Sequence, residues 1–348
     1  MGRNEIDPEG HPPSPESHSQ GGDWRRILPG LAVSAISLGL VFYFADLHKL
    51  GEALRLADYR YAFLAVWITL IWLGVRGLVW RTLLQDKASY RTVFWSLNEG
   101  YLLNNLLPFR LGEVGRSFLL SRKSNLDFWQ VLSTVIVERL MDLAMAAGLL
   151  MGTLPFVVGA TWARQAAVVT GLAVLFVFAV LYLLARNQAW ALHWFERLGQ
   201  RWPLLLRLGG KVIPSIFSGL SVLTDGLRFL RAIGWILVNW LVAIGQYMMM
   251  VNAFFPGAKL IWAAFSLGVA ALGIAAPSSP GAVGVMELSI VGALSLFGLD
   301  ASVALAMAIT IHVIQYLVTG VLGAYALARE GESLLDIYHR VRKLKVSG

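Results

Sequence analysis

The apolar positions of this chain come in long blocks rather than in alternation. Residues 27–45, 61–83, 128–152, 165–185, 232–255 and 301–328 are dominated by Leu, Val, Ala, Ile, Phe and Trp, and charge inside them is rare. Each block is long enough, at about 1.5 Å per residue, to cross roughly 30 Å of hydrocarbon as a helix. Continuous hydrophobicity, without a period of two, excludes a transmembrane barrel. The pattern predicts an all-α polytopic membrane protein with about six full spans. Two further apolar stretches, 94–121 and 260–297, are broken by Pro, Gly and polar residues. Their limbs, about 10 to 17 residues each, are short for a span and read as re-entrant hairpins. The alternative is that every limb crosses, giving about eight to ten full spans.

The two broken stretches resemble each other. Pro108, Gly112, Val114 and Gly115 match Pro277, Gly281, Val283 and Gly284 in the spacing P-x-x-x-G-x-V-G, at an offset of 169 residues (277 − 108). Leu126-Asp127 has a counterpart in Leu299-Asp300 if the second copy carries four extra residues. In that register Arg139 corresponds to His312 and Asp142 to Gln315. The reading is an internal duplication, repeat one at about 27–152 and repeat two at about 165–328. Each copy would hold three spans and one hairpin, and an odd number of spans inverts one copy relative to the other. Inverted repeats with broken helices meeting at the midplane are a transporter design. The competing reading is two unrelated helix breaks that both use Pro and Gly.

Composition supports the membrane reading: 57% of the 348 residues are hydrophobic, 14% are charged, and mean hydropathy is +0.64. The net charge of +8 then reports loops facing anionic headgroups rather than nucleic acid. Residues 1–23, rich in Pro, Gly, Ser, His and acid, are expected to be a disordered cytoplasmic tail and not a signal peptide. The domain proper is expected at 24–328, followed by a basic cytoplasmic tail, 329–348. The segment 186–231 mixes Arg186, Arg197, Arg201, Arg207, Lys211, Arg228 and Arg231 with Trp190, Trp194, Phe195 and Leu198. It predicts one or two amphipathic helices on the cytoplasmic surface. The segment 153–163, without Lys or Arg, is then external, and both termini are cytoplasmic. In this orientation the first hairpin enters from the cytoplasm and the second from outside. The loop 46–60 fits less well, because it carries Lys49, Arg55 and Arg60, balanced by Asp46, Glu52 and Asp58.

The candidate chemistry sits in and beside the breaks. Asn104, Asn105, Pro108, Arg110, Gly112, Glu113 and Arg116 form a predicted lipid-headgroup site. Arg110, Glu113 and Arg116 are three apart and share a face of a helix beginning after Pro108. A guanidinium beside a helix start suits a phosphate; the competing reading is an interfacial loop touching headgroups. Glu138, Arg139 and Asp142 lie mid-span, where each charge costs about 2.5–3.5 kcal/mol on insertion scales. They are predicted to balance charge or exchange protons, or else to lock helices together. Arg76, inside another span, faces the bundle interior or snorkels. The second-repeat site is Pro277, Ser278, Ser279, Pro280, Gly281, Gly284, Glu287, His312 and Gln315. His312, Gln315 and Tyr316 share a helix face, as do Asn239 and Gln246, although polar groups of this kind more often hydrogen-bond neighbouring helices. There is no cysteine, no metal-ligand cluster and no recognisable nucleotide or nucleophile motif. No metal, cofactor or nucleic-acid partner is expected.

Three motifs carry a resemblance: N-x2-LPFRLGE-x2-R at Asn104 to Arg116, ERL-x-D at Glu138 to Asp142, and P-x2-PG-x2-G-x2-E at Pro277 to Glu287. In this order they resemble the flippase-like membrane domain of the lysylphosphatidylglycerol synthase transmembrane-region family, which includes UPF0104-type membrane proteins. The likeness runs from about 25 to 330. Ala282 stands where the family commonly has glycine. The resemblance implies movement between leaflets of a lipid with a polar or charged head, such as a phospholipid, a glycolipid or a polyprenyl-phosphate carrier. Without the soluble aminoacyl-transferase domain of fused family members, lipid aminoacylation is not expected. The favoured reading is a lipid translocase of a bacterial inner membrane, not an enzyme, with membrane lipids as partners. Two alternatives stay open. One is a membrane enzyme on a lipid-linked substrate, with Glu138 or Asp142 as base and His312 as acid. The other is an accessory scaffold for a lipid-modifying enzyme or glycosyltransferase. The sequence leaves the oligomeric state unknown.

Overall fold

The computed structural model describes residues 24–107, 110–158, 161–202, 213, 224–275 and 278–330. Every regular element among them is helical. Twelve helices of two turns or more follow one another: α1 (Trp24–Phe44), α2 (Leu47–Leu56), α3 (Tyr59–Leu83), α4 (Tyr90–Leu106), α5 (Leu111–Lys123), α6 (Phe128–Val158), α7 (Thr161–Arg186), α8 (Gln188–Arg201), α9 (Gly226–Phe254), α10 (Leu260–Ala275), α11 (Val285–Ser295) and α12 (Ala301–Glu330). A single 3-10 turn, Pro280–Ala282, precedes α11.

Short polar side chains start most of these helices. Asp46, Asp58, Ser89 and Asp225 accept backbone N–H groups at the starts of α2, α3, α4 and α9. Asp127 accepts from Trp129 N at 2.9 Å before α6, and Asp300 from Ser302 N at 2.8 Å before α12. An acceptor there satisfies N–H groups that a helix leaves without partners, which in a membrane has no cheap alternative. The Leu126-Asp127 and Leu299-Asp300 pairs are therefore the entries to two equivalent long helices.

Among the described residues, four helices are long and apolar enough to cross a membrane: α3, α6, α9 and α12. The start of a fifth is α1, which with α2 makes a pair bent by 85°. That is four to five candidate spans, against the six expected. The expected loop 46–60 is largely helix, because Leu47, Leu50 and Leu54 recur at helical spacing behind Asp46. The expected external segment 153–163 shrinks too: α6 continues to Val158 through Pro155, carried by Leu154, Phe156 and Val157. Of the segment 186–231, α8 presents Trp190, Trp194 and Leu198 as an exposed stripe, and α9 begins at Gly226 rather than 232. Residues 203–212 and 214–223 of that segment, the tail 1–23, and 331–348 of the basic tail lie outside the described residues.

The broken stretches are pairs of short helices. In the first, α4 packs against α5; in the second, α10 packs against α11. At about 1.5 Å per residue none of the four approaches 30 Å. Packing between the halves is reciprocal: α4 lies against α12, and α10 lies against α6. The helices that precede the two pairs, α3 and α9, pack on each other. Gln246 Nε2 donates to Thr69 Oγ1 at 2.7 Å and Asn239 Nδ2 to the Trp72 carbonyl at 3.0 Å across that contact. The main core is apolar and buried, with Ile236, Met250, Ile290, Leu294, Met307 and Ile311 at its centre. The outside is apolar as well: Phe63, Trp67, Ile71, Phe176, Leu241, Leu317 and Val321 are exposed. Apolar surface on that scale needs a non-aqueous surround.

Candidate functional site

Where the two broken pairs meet α3, α6, α9 and α12, they enclose a cavity of about 690 Å³. It is apolar on most of its wall, with polar groups gathered into two clusters.

The first cluster starts from α6. Glu138 and Asp142 are one turn apart, so they project from the same side of the helix. Arg76 of α3, 2% exposed, reaches both carboxylates, with Nη1 2.8 Å from Asp142 Oδ1. Arg116 of α5 donates from Nη2 to Glu138 Oε1 at 3.1 Å and lays its guanidinium over the Trp80 ring at 4.6 Å. Arg139 donates to the same Glu138 oxygen at 2.9 Å and lies 3.3 Å from Asp142 Oδ2. Trp240 Nε1 on α9 donates to Asp142 Oδ1 at 3.4 Å. Glu138, with no exposed surface, is thus held by three guanidiniums from three helices. A carboxylate removed from water survives only with such partners.

Nearer the break, Glu113 Oε1 lies 3.3 Å from Arg110 Nε and 3.5 Å from Arg139 Nε. Arg110 is the last residue before α5, in a left-handed conformation at φ 54°. That backbone is uncommon for a residue with a side chain, and it is concentrated at functional sites. The Arg110 guanidinium, about a third exposed, lines the cavity. The cluster holds four arginines (Arg76, Arg110, Arg116, Arg139) against three carboxylates (Glu113, Glu138, Asp142), a surplus of one positive charge. Asn104 Oδ1 and Arg139 Nε are buried without a hydrogen bond from the protein, and such atoms need water or a ligand.

The second cluster lies on the opposite half. His312 Nδ1 is 2.5 Å from Glu287 Oε1, and His312 Nε2 is 3.1 Å from the Gly281 carbonyl. The other oxygen of Glu287 accepts the Gly284 N–H at 2.7 Å, so Glu287 also closes the first turn of α11. Tyr316 donates to the Pro280 carbonyl at 3.3 Å. Glycine is required at 281: φ is 65°, and a Cβ would fall 1.3 Å from the Tyr316 hydroxyl. The two clusters are joined by Asn105 Nδ2, which donates to Thr319 Oγ1 at 2.9 Å.

Most of the residues singled out in the sequence converge here. Asn104, Asn105, Arg110, Glu113, Arg139, Asp142, Ser278, Ser279, Gly281, His312 and Gln315 line the cavity. Arg116 and Glu138 do not: they are buried beside it, so the expected contact of Arg116 with a headgroup gives way to a structural ion pair. Gly112 and Gly284 serve close packing, the first against the Gly100 carbonyl and the second against Ser34 of α1. Glu287 sits behind His312, and Pro280 contributes its carbonyl. Pro108 and Pro277 lie outside the described residues. Arg76 was absent from the expected site although a lone charge within a span was its signal. Tyr316 lines the cavity beside His312. Trp72, Tyr101, Trp240 and Tyr247 also line it; as aromatic residues in an apolar chain they give no separate signal. Among the described residues no group of three or more His, Asp or Glu side chains could hold a metal ion.

Over 301 residues the chain is 24% identical to a UPF0104 membrane protein of Methanothermobacter thermautotrophicus, covering 79% of this chain and 85% of that one. No solved structure matches it. The family model for the lysylphosphatidylglycerol synthase TM region matches residues 27–323, which takes in both broken pairs and every helix around the cavity. This multi-pass membrane protein therefore belongs to the lysylphosphatidylglycerol synthase TM region family.

Proposed function

We propose that this protein moves an anionic lipid headgroup between leaflets, through the cavity, while the acyl chains stay in the surrounding bilayer. The observation that carries this reading is the surplus guanidinium charge of a cavity between long apolar helices, with Arg110 in its lining. A phosphate accepts bidentate, charge-assisted hydrogen bonds from arginine, and no other side chain offers that fork. The Asn104 Oδ1 acceptor, buried without a protein hydrogen bond, and an apolar remainder of the wall suit a headgroup followed by lipid chains.

The architecture we favour has six full spans, α1, α3, α6, α7, α9 and α12, with α4–α5 and α10–α11 as re-entrant pairs. The reciprocal packing of α4 on α12 and α10 on α6 supports two inverted repeats. So does the matching start of α6 and α12, 173 residues apart (301 − 128). Both termini would be cytoplasmic and the membrane a bacterial inner membrane, with lipids as the substrate and no cofactor. Base catalysis by Glu138 fits less well, because its carboxylate is committed to three arginines.

The test is lipid transfer in vesicles that hold the purified protein and a fluorescent phospholipid, read by quenching from outside. A lost charge-assisted hydrogen bond is worth about 1.5–3 kcal/mol, so Arg110→Ala should slow transfer roughly 10- to 100-fold, with unchanged thermal stability. Transfer at the wild-type rate would remove Arg110 from the lipid path. No transfer by the wild type with any phospholipid, glycolipid or polyprenyl phosphate would refute the translocase reading.

A further inference from the structure

The His312–Glu287 contact contains a proton count. A backbone carbonyl accepts and never donates, so the contact between His312 Nε2 and the Gly281 carbonyl requires hydrogen on Nε2. An ionised carboxylate also only accepts, so the contact between His312 Nδ1 and Glu287 Oε1 requires hydrogen on Nδ1 or on the carboxyl. Both contacts hold together only when the pair carries one proton more than a neutral imidazole beside an ionised carboxylate. With that proton gone, one ring nitrogen turns a lone pair on an oxygen. Either Glu287 or the Gly281 carbonyl then loses its hydrogen bond with His312, while Tyr316 still donates to the Pro280 carbonyl.

The titratable neighbours of this pair are Tyr316 on α12, its ring centroid 4.7 Å from that of His312, and Tyr247 on α9, which lies within the field of Glu287. From α1 the turn meets Ser34, whose hydroxyl accepts the Ser279 N–H at 3.0 Å, and α10 bears no charged residue. Four charged groups on the other elements packed against α11 and α12 are paired elsewhere. Glu99 of α4 pairs with Lys123, Arg76 of α3 with Glu138 and Asp142, Lys49 of α2 with Asp300, and Arg231 of α9 with Asp86. The acids of the first cluster are poor exchange sites, since a proton on Glu138 would strip three buried guanidiniums of their shared partner. His312, by contrast, lines the cavity.

We propose that His312 and Glu287 bind an exchangeable proton, and that its release loosens the hold of His312 on Glu287 and the 280–282 turn. The balance is an imidazolium beside a carboxylate going to a neutral imidazole beside a carboxylate, with one proton leaving by the cavity. The proton site stands on this geometry alone; its use to drive lipid movement rests on the translocase reading.

The direct test is nitrogen-15 histidine NMR of the full chain in nanodiscs between about pH 5 and 9, the range that brackets histidine titration. His312 is assigned with His312→Gln or, should that variant not accumulate, by removing His11, His18, His48, His193 and His339 in turn. The expected result is hydrogen on both ring nitrogens at the acidic end and a one-proton transition that is absent in Glu287→Gln. A spectrum constant across the range, or the same transition in Glu287→Gln, would overturn the site. The chain has no cysteine, so Ser279→Cys gives a clean reporter of the turn. Its thiol labelling should be several-fold faster on the alkaline side of the transition, relative to Ser89→Cys at the exposed position just before α4. Equal ratios at both ends would overturn the loosening. Lipid transfer with no pH dependence would overturn the coupling and leave the proton site standing. Absence of lipid transfer would count against the translocase reading alone.

Discussion

Replacing Glu138 by glutamine should unfold this protein more readily than any other single charge removal at the cavity. The side chain is fully buried and is shared by Arg76, Arg116 and Arg139. Glutamine keeps the shape and loses the charge, so Arg76 and Arg139 are left to Asp142 and Glu113, and Arg116, 3% exposed, loses the carboxylate it is paired with. Removing one partner of a buried ion pair costs about 3–5 kcal/mol, most of it the penalty of the charge left behind. At about 2–4 °C per kcal/mol for a large domain, the unfolding midpoint should fall by roughly 6–20 °C. Glu113→Gln is the control: its contacts are longer and it borders the cavity, so about 1 kcal/mol is expected. The sign of the charge argument is tested by adding Arg116→Met to Glu138→Gln. Taking out both members removes a matched pair, and stability should return except for the stacking of Arg116 on Trp80, worth about 0.5–2 kcal/mol. The assay is thermal unfolding of the detergent-solubilised protein followed by size-exclusion chromatography. A Glu138→Gln protein within about 1 kcal/mol of wild type would refute the claim that this network ties α3, α5 and α6 together.

Three further outcomes follow from local geometry. Gly112→Ala would place a Cβ 2.1 Å from the Gly100 carbonyl and 2.6 Å from Asn104, so α4 and α5 must part; a loss of about 1–3 kcal/mol is expected in the same unfolding assay. Ala282→Gly should instead stabilise by up to about 1 kcal/mol, because Ala282 sits at φ 60°, where a side chain costs about 1–2 kcal/mol and glycine's extra chain entropy returns only about half of that. Asp300→Ala should cost about 0.5–2 kcal/mol as a lost helix cap. Slight burial pushes the Asp300 carboxyl up, but the Val303 and Ser302 N–H groups and Lys49 hold it, on balance, below the usual carboxylate value. A lowered value means the ionised form is favoured by folding. The difference between wild type and Asp300→Ala should therefore be present at neutral pH and fade as pH falls below about 4.

Much of the chain's organisation is legible without coordinates. Long uncharged runs state that the protein is helical and membrane-embedded, because only a helix satisfies its own backbone where water is absent. Pro and Gly at 277–284 state where a helix must break, and the Leu-Asp pairs at 126–127 and 299–300 mark where the next one starts. Spacing alone puts Glu138 with Asp142 and His312 with Tyr316, since residues four apart share a helix face. Helix ends were less legible: α6 runs past the expected boundary at 152 because Leu154, Phe156 and Val157 continue the apolar run and Pro155 cannot be read as a stop so near the end.

Contacts between helices distant in the chain are another matter. Arg116 and Arg110 look alike in the sequence, both charged and six residues apart on the same motif. One is buried under Trp80 against Glu138 and the other opens into the cavity, a difference made by α3 and α6, not by the motif. Arg76 joins the acids of α6 from 62 and 66 residues away, and Glu287 meets His312 through the fold of a turn around Gly281 and Gly284. Hydrophobic periodicity depends on a residue and its near neighbours, so the sequence by itself determined the class of protein, the breaks and the polar faces. Ion pairing in a low-dielectric interior depends on which faces meet, and only the tertiary structure decided which charges hold the bundle together and which face the cavity.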